Sequence, residues 1–246
     1  MSPVLLALAA LGYVGAVVGG SRPWPPARTA SWLAGLCCVA AALSGPLAAA
    51  HTDLRAHVAA HLLLGMVAPV LLVLARPVTL ALRTLPPPHA RRLTRLLRTA
   101  PLRWLTDPFV ATALDAAGLW LLYGTGLLTS VLHSPGLHLL VSLHILLTGW
   151  LATAAVLALE PVPHRRGVAA RAVALALGAA AHDVLAKALY AAPPAGVGGA
   201  EVAAQLMYHG GTVVHLVVAG LLWRQWYCSR SAVRAAGLVR TAAPGG

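Results

Sequence analysis

The sequence predicts an all-α polytopic membrane protein with seven transmembrane helices. Of its 246 residues, 59% are hydrophobic and only 10% are charged, whereas a soluble domain carries about 25% charged residues. The apolar residues cluster into runs of about 20, the length that crosses roughly 30 Å of hydrocarbon as a helix. The net charge of +12 comes from basic residues between these runs. It therefore indicates membrane orientation signals and no nucleic-acid partner.

Seven apolar runs, bounded by Pro, Gly and clusters of charge, define the predicted spans. They cover residues 3–20, 30–50, 55–82, 108–131, 137–159, 168–191 and 201–226. We interpret them as one transmembrane helical domain, 1–246, embedded in the lipid bilayer.

The distribution of arginine predicts the orientation of these spans. Arginines concentrate in segments 21–29, 83–107 and 160–167 and in the tail from residue 227. The alternate segments, 51–54, 132–136 and 192–200, contain no Arg or Lys. Because cytoplasmic loops of membrane proteins carry the excess of basic residues, we predict an N-terminus outside and a C-terminus inside. The expected location is the plasma membrane.

Segment 84–106 lies between the third and fourth predicted spans and is strongly basic. Its leucines, Leu93, Leu96 and Leu97, alternate with Arg91, Arg92, Arg95 and Arg98. This pattern predicts a short amphipathic helix on the cytoplasmic membrane surface. A basic loop that only sets the topology is the alternative.

Eleven histidines are sorted unevenly by this topology. His89 and His164 fall in cytoplasmic loops, and the other nine map to the outer half or near the midplane. At a rise of 1.5 Å per residue, His61 and His144 lie about 9–10 Å deep. His182 and His209 lie about 12–14 Å deep. Four helices therefore bring a histidine to a similar level.

The spacing of the histidines and the acids beside them indicate a metal-binding role. His57 and His61 are four residues apart and share one helix face. Asp53 extends that face outward, where a carboxylate accepts the second ring N–H of a ligating histidine. Asp183 follows His182 inside a span, where ionisable residues are rare and indicate function. We expect both acids to orient ligating histidines.

The donor types in this sequence favour copper binding, and the motifs of common enzyme classes are missing. Imidazole suits copper, zinc, iron and haem. Met66 and Met207 lie near the level of the histidines, and their thioethers favour Cu(I). Walker, G-x-S-x-G, HExxH and Rossmann motifs are absent from the sequence. Six acidic residues leave little material for paired-carboxylate chemistry. We therefore predict a metal-binding protein that is not an enzyme.

Four sequence blocks resemble those of a known family. "AHVAAHLLLGMVAPVLLVLARPVTLALR", residues 56–83, resembles the signature block of the CtaG-like cytochrome c oxidase assembly proteins, which are multispanning bacterial membrane proteins. "LHLLVSLHILLTGW" (137–150), "AAHDVLAKALY" (180–190) and "QLMYHGG" (205–211) are similar to later blocks in the same order. The resemblance implies assembly of a haem–copper oxidase, with copper handled for one of its copper centres and oxidase subunits as partners.

Together these observations predict an outward-facing, histidine-rich copper pocket. Its expected ligands are His57, His61, His144 and His182, which match histidines of the family blocks; further candidates are His51, His138, His209, Met66 and Met207. Three alternatives stay open. They are a copper transporter, a b-type haem electron carrier in which histidine pairs ligate iron, and a scaffold whose histidines only link helices by hydrogen bonds.

Overall fold

The computed structural model describes residues 3–45, 47, 50, 53–161, 165–193 and 199–242, the last thirteen by their backbone alone. Within these residues the chain is helical, without a strand, which confirms the predicted fold class. The helices are α1 (Pro3–Val18), α2 (Pro26–Leu43), α3 (Leu54–Leu62), α4 (Ala68–Leu74), α5 (Pro77–Thr84), α6 (Pro87–Leu97), α7 (Ala100–Leu105), α8 (Pro108–Gly124), α9 (Leu127–His133), α10 (Pro135–Leu157), α11 (Val168–Ala191) and α12 (Ala200–Ala242). A π-helical turn, Leu63–Val67, joins α3 to α4.

Five segments in the described part of the chain are long and apolar enough to cross a membrane. They are α2, the composite Leu54–Thr84, α10, α11 and the first 30 residues of α12. A sixth results if α8 and α9, which meet at an angle of 81°, count as one broken span. The predicted total of seven also includes α1, a shorter apolar helix of 16 residues. Seven spans and their orientation therefore stay predictions.

The third predicted span, 55–82, is interrupted close to its C-terminal end. Pro77 has no N–H to continue the helix, and it disfavours the helical conformation at the residue before it. Arg76 accordingly adopts a left-handed backbone (φ 54°), and α5 restarts with Pro77 in its first turn. The Glu160 carboxylate accepts hydrogen bonds from the backbone N–H groups of Val78 (2.9 Å) and Thr79 (2.8 Å). A distant acid thus caps this restarted helix.

The fourth predicted span, 108–131, bends sharply between α8 and α9. Thr125 is extended (φ −126°, ψ 178°), and its hydroxyl accepts a hydrogen bond from the Leu127 N–H at 3.2 Å. A threonine hydroxyl that accepts a backbone N–H two residues ahead favours a turn over continuation of the helix. The bend follows from this local contact, which hydrophobic periodicity does not reveal.

The basic segment 84–106 forms two helices, α6 and α7, neither of which has a buried residue. Its amphipathic α6 matches the predicted helical character. Its docking on the membrane surface stays a prediction.

The interior of the bundle lies where α3, α8, α9, α11 and α12 pack together. Close packing around it depends on glycine. A Cβ on Gly149 of α10 would lie 2.0 Å from the carbonyl oxygen of Gly65 in the π-helical turn. The two backbones therefore touch directly at this crossing.

A buried arginine joins three helices at the C-terminal end of α10. Arg171 of α11 is only 1% exposed. Its Nη1 donates hydrogen bonds to the carbonyls of Val156 (2.9 Å) and Leu157 (3.1 Å) and reaches Gln225 Oε1 of α12 at 3.4 Å. These carbonyls end α10 and have no partner within their own helix, so the guanidinium satisfies them and complements the helix dipole.

Candidate metal centre

A cavity of about 70 Å³ lies inside the helical bundle. Its walls come from the end of α3, the π-helical turn that follows it, and the helices α8, α10, α11 and α12. Its ionisable lining comes from His61, Asp115, His182 and His215, and Met66 adds a thioether. Most of the remaining wall is apolar or small. Four helical elements that are far apart in sequence thus direct ionisable side chains to one place.

Three of these side chains are imidazoles whose rings lie close together, with His182 between the other two. The ring centres of His61 and His182 are 6.1 Å apart, and those of His182 and His215 are 5.5 Å apart. Two imidazoles bound to one ion through nitrogens about 2 Å from the metal have ring centres about 5–6 Å apart. The geometry therefore suits a single metal ion held by more than one histidine.

The nitrogens of these rings are buried and available. His61 is 4% exposed and His182 is 5% exposed. Neither nitrogen of either ring has a hydrogen-bond partner among the described residues, and the same holds for Nδ1 of His215. Since buried polar atoms are nearly always hydrogen-bonded, this group of nitrogens indicates a place for a cation or ordered water.

One acid belongs to the same cluster. His182, Asp183 and His215 each offer a ligand atom within 4.8 Å of the other two, and no other metal-ligand group of three occurs in the described part of the chain. Asp183 Oδ1 lies 3.9 Å from His182 Nδ1. Asp183 is therefore placed to bind a metal or to orient its neighbour.

Glycines make room for two of the rings. A Cβ on Gly211 would lie 2.2 Å from His182 Cε1, and one on Gly65 would lie 3.2 Å from His61 Cε1. Glycine at these positions lets a helix backbone approach an imidazole directly. The sequence thus provides space for the histidines as well as the histidines themselves.

Sequence reasoning did not place Asp115 or His215 in the site. Asp115 of α8 lines the cavity and accepts a hydrogen bond from the Thr148 hydroxyl at 3.0 Å. The available signal was an acid within an apolar run, which marks function by itself. His215 gave no such signal, because α12 begins well before the level of the cavity and counting from its first residue misplaces it.

His57 and His138 form a neighbouring group. Their ring centres are 6.1 Å apart, and both line a small crevice that His61 also borders. The ring of Tyr123 lies 5.9 Å from that of His57 and 6.3 Å from that of His61. His57 is thus one helical turn from the cavity lining without being part of it.

Of the other candidate ligands that the structure describes, Met66 alone lines this cavity. His144 is exposed, and its ring lies against α8, where a Cβ on Gly118 would be 2.4 Å from Nε2. His209 is exposed beside Tyr208, with ring centres 5.2 Å apart. Met207 is fully buried in the apolar interior. His51 lies outside the described residues.

Asp53 has a structural contact at the start of α3. Its carboxylate accepts hydrogen bonds from the Arg55 backbone N–H at 2.9 Å and from the Arg55 guanidinium at 2.7 Å. These hydrogen bonds hold the pKa of the Asp53 carboxyl below its usual range. The carboxylate is therefore engaged by Arg55 as a helix cap.

Comparison with known families matches most of the chain. The family model described as cytochrome c oxidase caa3 assembly factor (Caa3_CtaG) aligns with residues 8–229. The chain belongs to this family. This confirms the resemblance drawn from residues 56–83, and the match extends from α1 into α12.

Mycobacterial relatives share part of the chain. An uncharacterized protein of Mycobacterium bovis, Mb0105, is 35% identical over 167 residues, which cover 63% of this chain and 25% of that protein. An uncharacterized protein of Mycobacterium leprae, ML1998, is 32% identical over 174 residues, or 65% of this chain and 26% of that protein. The match spans about a quarter of the length of these relatives. No solved structure matches the chain.

Proposed function

We propose that this protein is a membrane-embedded assembly factor that binds copper in the histidine-lined cavity and hands it to cytochrome c oxidase. Family membership supports the assembly role. The observation that carries the copper role is the set of buried, unpartnered ring nitrogens on His61, His182 and His215. Copper is the cargo, and the protein's own chemistry is binding and release without catalysis.

The donor set favours Cu(I). Neutral imidazoles and a thioether are ligands that copper accepts, and thioether donors select the cuprous ion. His61, His182 and His215 supply the imidazoles, and Met66 lines the same cavity. In this proposal Asp183 orients His182. His57 and His138 form a second histidine pair, which contacts copper between the start of α3 and the cavity.

The size of the cavity argues against haem. Pockets for organic molecules usually measure about 300–1,000 Å³, whereas this cavity measures about 70 Å³. A single ion suits that volume. The b-type haem alternative therefore receives no support from the site.

Topology completes the proposal. Seven spans with the N-terminus outside would place the start of α3 at the extracytoplasmic surface of the plasma membrane. The cavity lies roughly 10 Å from that end, if His61 is counted from Leu54 at 1.5 Å per residue. Copper would then be received and released on the extracytoplasmic side.

Complementation of a bacterial strain that lacks its own copy tests the assembly role. The wild-type gene, His182→Ala and His89→Ala are compared by oxidase activity in isolated membranes, with oxidase subunits and the factor itself quantified by immunoblot. We expect wild type and His89→Ala to restore activity, and His182→Ala to leave oxidase subunits present but inactive. Full restoration by an equally abundant His182→Ala protein would refute the proposal.

A further inference from the structure

A groove of about 590 Å³ lies at the meeting point of α7, the start of α8 and the segment before α11. Three arginines line it, Arg103, Arg165 and Arg166, together with Trp104, Asp107, Phe109 and Val110. The groove is separate from the histidine-lined cavity and shares no residue with it. Its lining combines guanidinium groups with apolar side chains.

The charges in this groove do not balance. Asp107 pairs with Arg166, with Oδ2 2.7 Å from Nε, and also accepts the Phe109 N–H at 3.0 Å. Arg165 donates to the neutral amide oxygen of Gln225, at 3.2 Å, and pairs with no carboxylate of the described residues. Three guanidinium groups therefore face one carboxylate, which leaves an excess of two positive charges.

The groove lies at the end of the membrane-crossing helices. α11 is a candidate span, and α8 begins the candidate span that it forms with α9; both helices start beside the groove. Trp104 is 66% exposed, and Phe109 is also exposed. Exposed aromatic side chains at helix ends are typical of the level of the lipid headgroups.

We propose that this groove binds the headgroup of an anionic phospholipid. Guanidinium groups bind phosphate oxygens through paired, charge-assisted hydrogen bonds, and basic pockets between membrane helices bind anionic headgroups. Arg103 and Arg165 carry the unbalanced charge that contacts the phosphodiester. Phe109 and Val110 form the apolar wall along which an acyl chain begins. This wall favours a lipid over a free phosphate ion.

Lipid titration of the purified full-length protein tests this site. Delipidated protein in neutral detergent receives dioleoylphosphatidylglycerol, dioleoylphosphatidylcholine or inorganic phosphate, and bound molecules are counted by native mass spectrometry. The variant Arg103→Gln/Arg165→Gln is compared with Arg91→Gln/Arg92→Gln, which removes the same charge from exposed positions of α6. Thermal unfolding of both variants shows whether either has lost its fold. A single Arg103→Lys variant, which keeps the charge, accompanies them.

Wild type should bind one phosphatidylglycerol far more tightly than phosphatidylcholine. The groove variant should bind it about 30-fold more weakly, because each basic residue near an anionic lipid contributes about fivefold. The α6 control should stay close to wild type, and Arg103→Lys, which keeps the charge but loses the paired hydrogen bonds, should fall between wild type and the groove variant. Equal losses in the groove and α6 variants, or the same affinity for both lipids, would overturn the proposal. Displacement of the lipid by millimolar inorganic phosphate would show a free-anion site instead.

Discussion

His182 of α11 and His215 of α12 lie with their ring centres 5.5 Å apart and their planes at 75°. On its other side, the His182 ring lies 6.1 Å from that of His61. His182 is therefore the central imidazole of the group, within reach of both other rings. Without the His182 ring, His61 and His215 no longer have a neighbouring imidazole in common. The loss of His182 should therefore weaken metal binding more than the loss of either outer histidine.

Accessibility of engineered cysteines tests the predicted orientation. After Cys37, Cys38 and Cys228 are replaced, single cysteines at Ser134 and Arg95 are exposed to a membrane-impermeant maleimide in intact spheroplasts. We expect labelling of residue 134 and protection of residue 95 until the membrane is opened, because arginine-rich loops stay in the cytoplasm. Labelling of residue 95 in sealed spheroplasts would invert the topology and with it the extracytoplasmic delivery of copper.

Gly149→Ala should destabilise the bundle. Its Cβ would lie 2.0 Å from the Gly65 carbonyl oxygen, so the two backbones must move apart. Such overpacking costs about 1–3 kcal/mol in free energy of unfolding. Gly220→Ala in α12 is the matched control, because a Cβ there meets no atom within 4 Å. It should leave stability unchanged or raise it by up to about 1 kcal/mol. Detergent-unfolding titrations measure both, and equal stability of the two variants would contradict the close contact.

Asp115→Asn should weaken metal binding in proportion to the charge of the ion. If Asp115 compensates a cation in the cavity, its Coulomb energy with a divalent ion is twice that with a monovalent ion. A loss of about tenfold for Cu(I) should therefore accompany a loss of about 100-fold for Cu(II). Competition titrations with chelators specific for each oxidation state measure the two affinities.

Asp107→Asn is the control for this charge effect. Asp107 immediately precedes α8 but does not line the cavity. It should therefore leave both affinities unchanged. Equal losses for Cu(I) and Cu(II) in Asp115→Asn would show that the carboxylate acts on the fold and not through its charge.

Arg171→Met should cost about 2–6 kcal/mol in free energy of unfolding. The substitution leaves the buried carbonyls of Val156 and Leu157 without their donor, and each unsatisfied group costs about 1–3 kcal/mol. Arg92→Met, at an exposed position of α6, should change stability by no more than about 0.5 kcal/mol. Indistinguishable melting of the two variants would mean that Arg171 does not hold the end of α10.

Helix positions could be predicted from the sequence, because an apolar run that crosses a bilayer must satisfy its backbone hydrogen bonds internally and so forms a helix. The breaks within them depend on local chemistry that the hydrophobic pattern does not carry. The break at Arg76 has a sequence signal in Pro77, which disfavours a helical conformation at the residue before it. Thr125 interrupts its helix through a hydroxyl contact with the Leu127 N–H, which leaves the apolar pattern of the span unchanged.

The site was partly predictable for a similar reason. His61 and His182 were expected at one depth, and the structure brings their rings to 6.1 Å. Depth alone does not show which way a side chain points around its helix. His144 was expected at the same level, but it lies on an exposed face of α10. The contribution of His215 depends on how far α12 extends before it reaches the bundle, which only the packed structure shows.

Copper content of the purified protein tests the central claim most directly. Wild type, His61→Ala/His182→Ala and His89→Ala are loaded with Cu(I), freed of excess metal and compared by inductively coupled plasma mass spectrometry, with thermal unfolding as a check of the fold. We predict about one copper per wild-type and His89→Ala molecule, and loss of most copper in the folded double variant, because two of the three imidazoles that line the cavity are gone. Wild-type occupancy should also fall as the pH is lowered, since only neutral imidazole binds copper. Equal copper occupancy in wild type and the double variant would contradict the copper site.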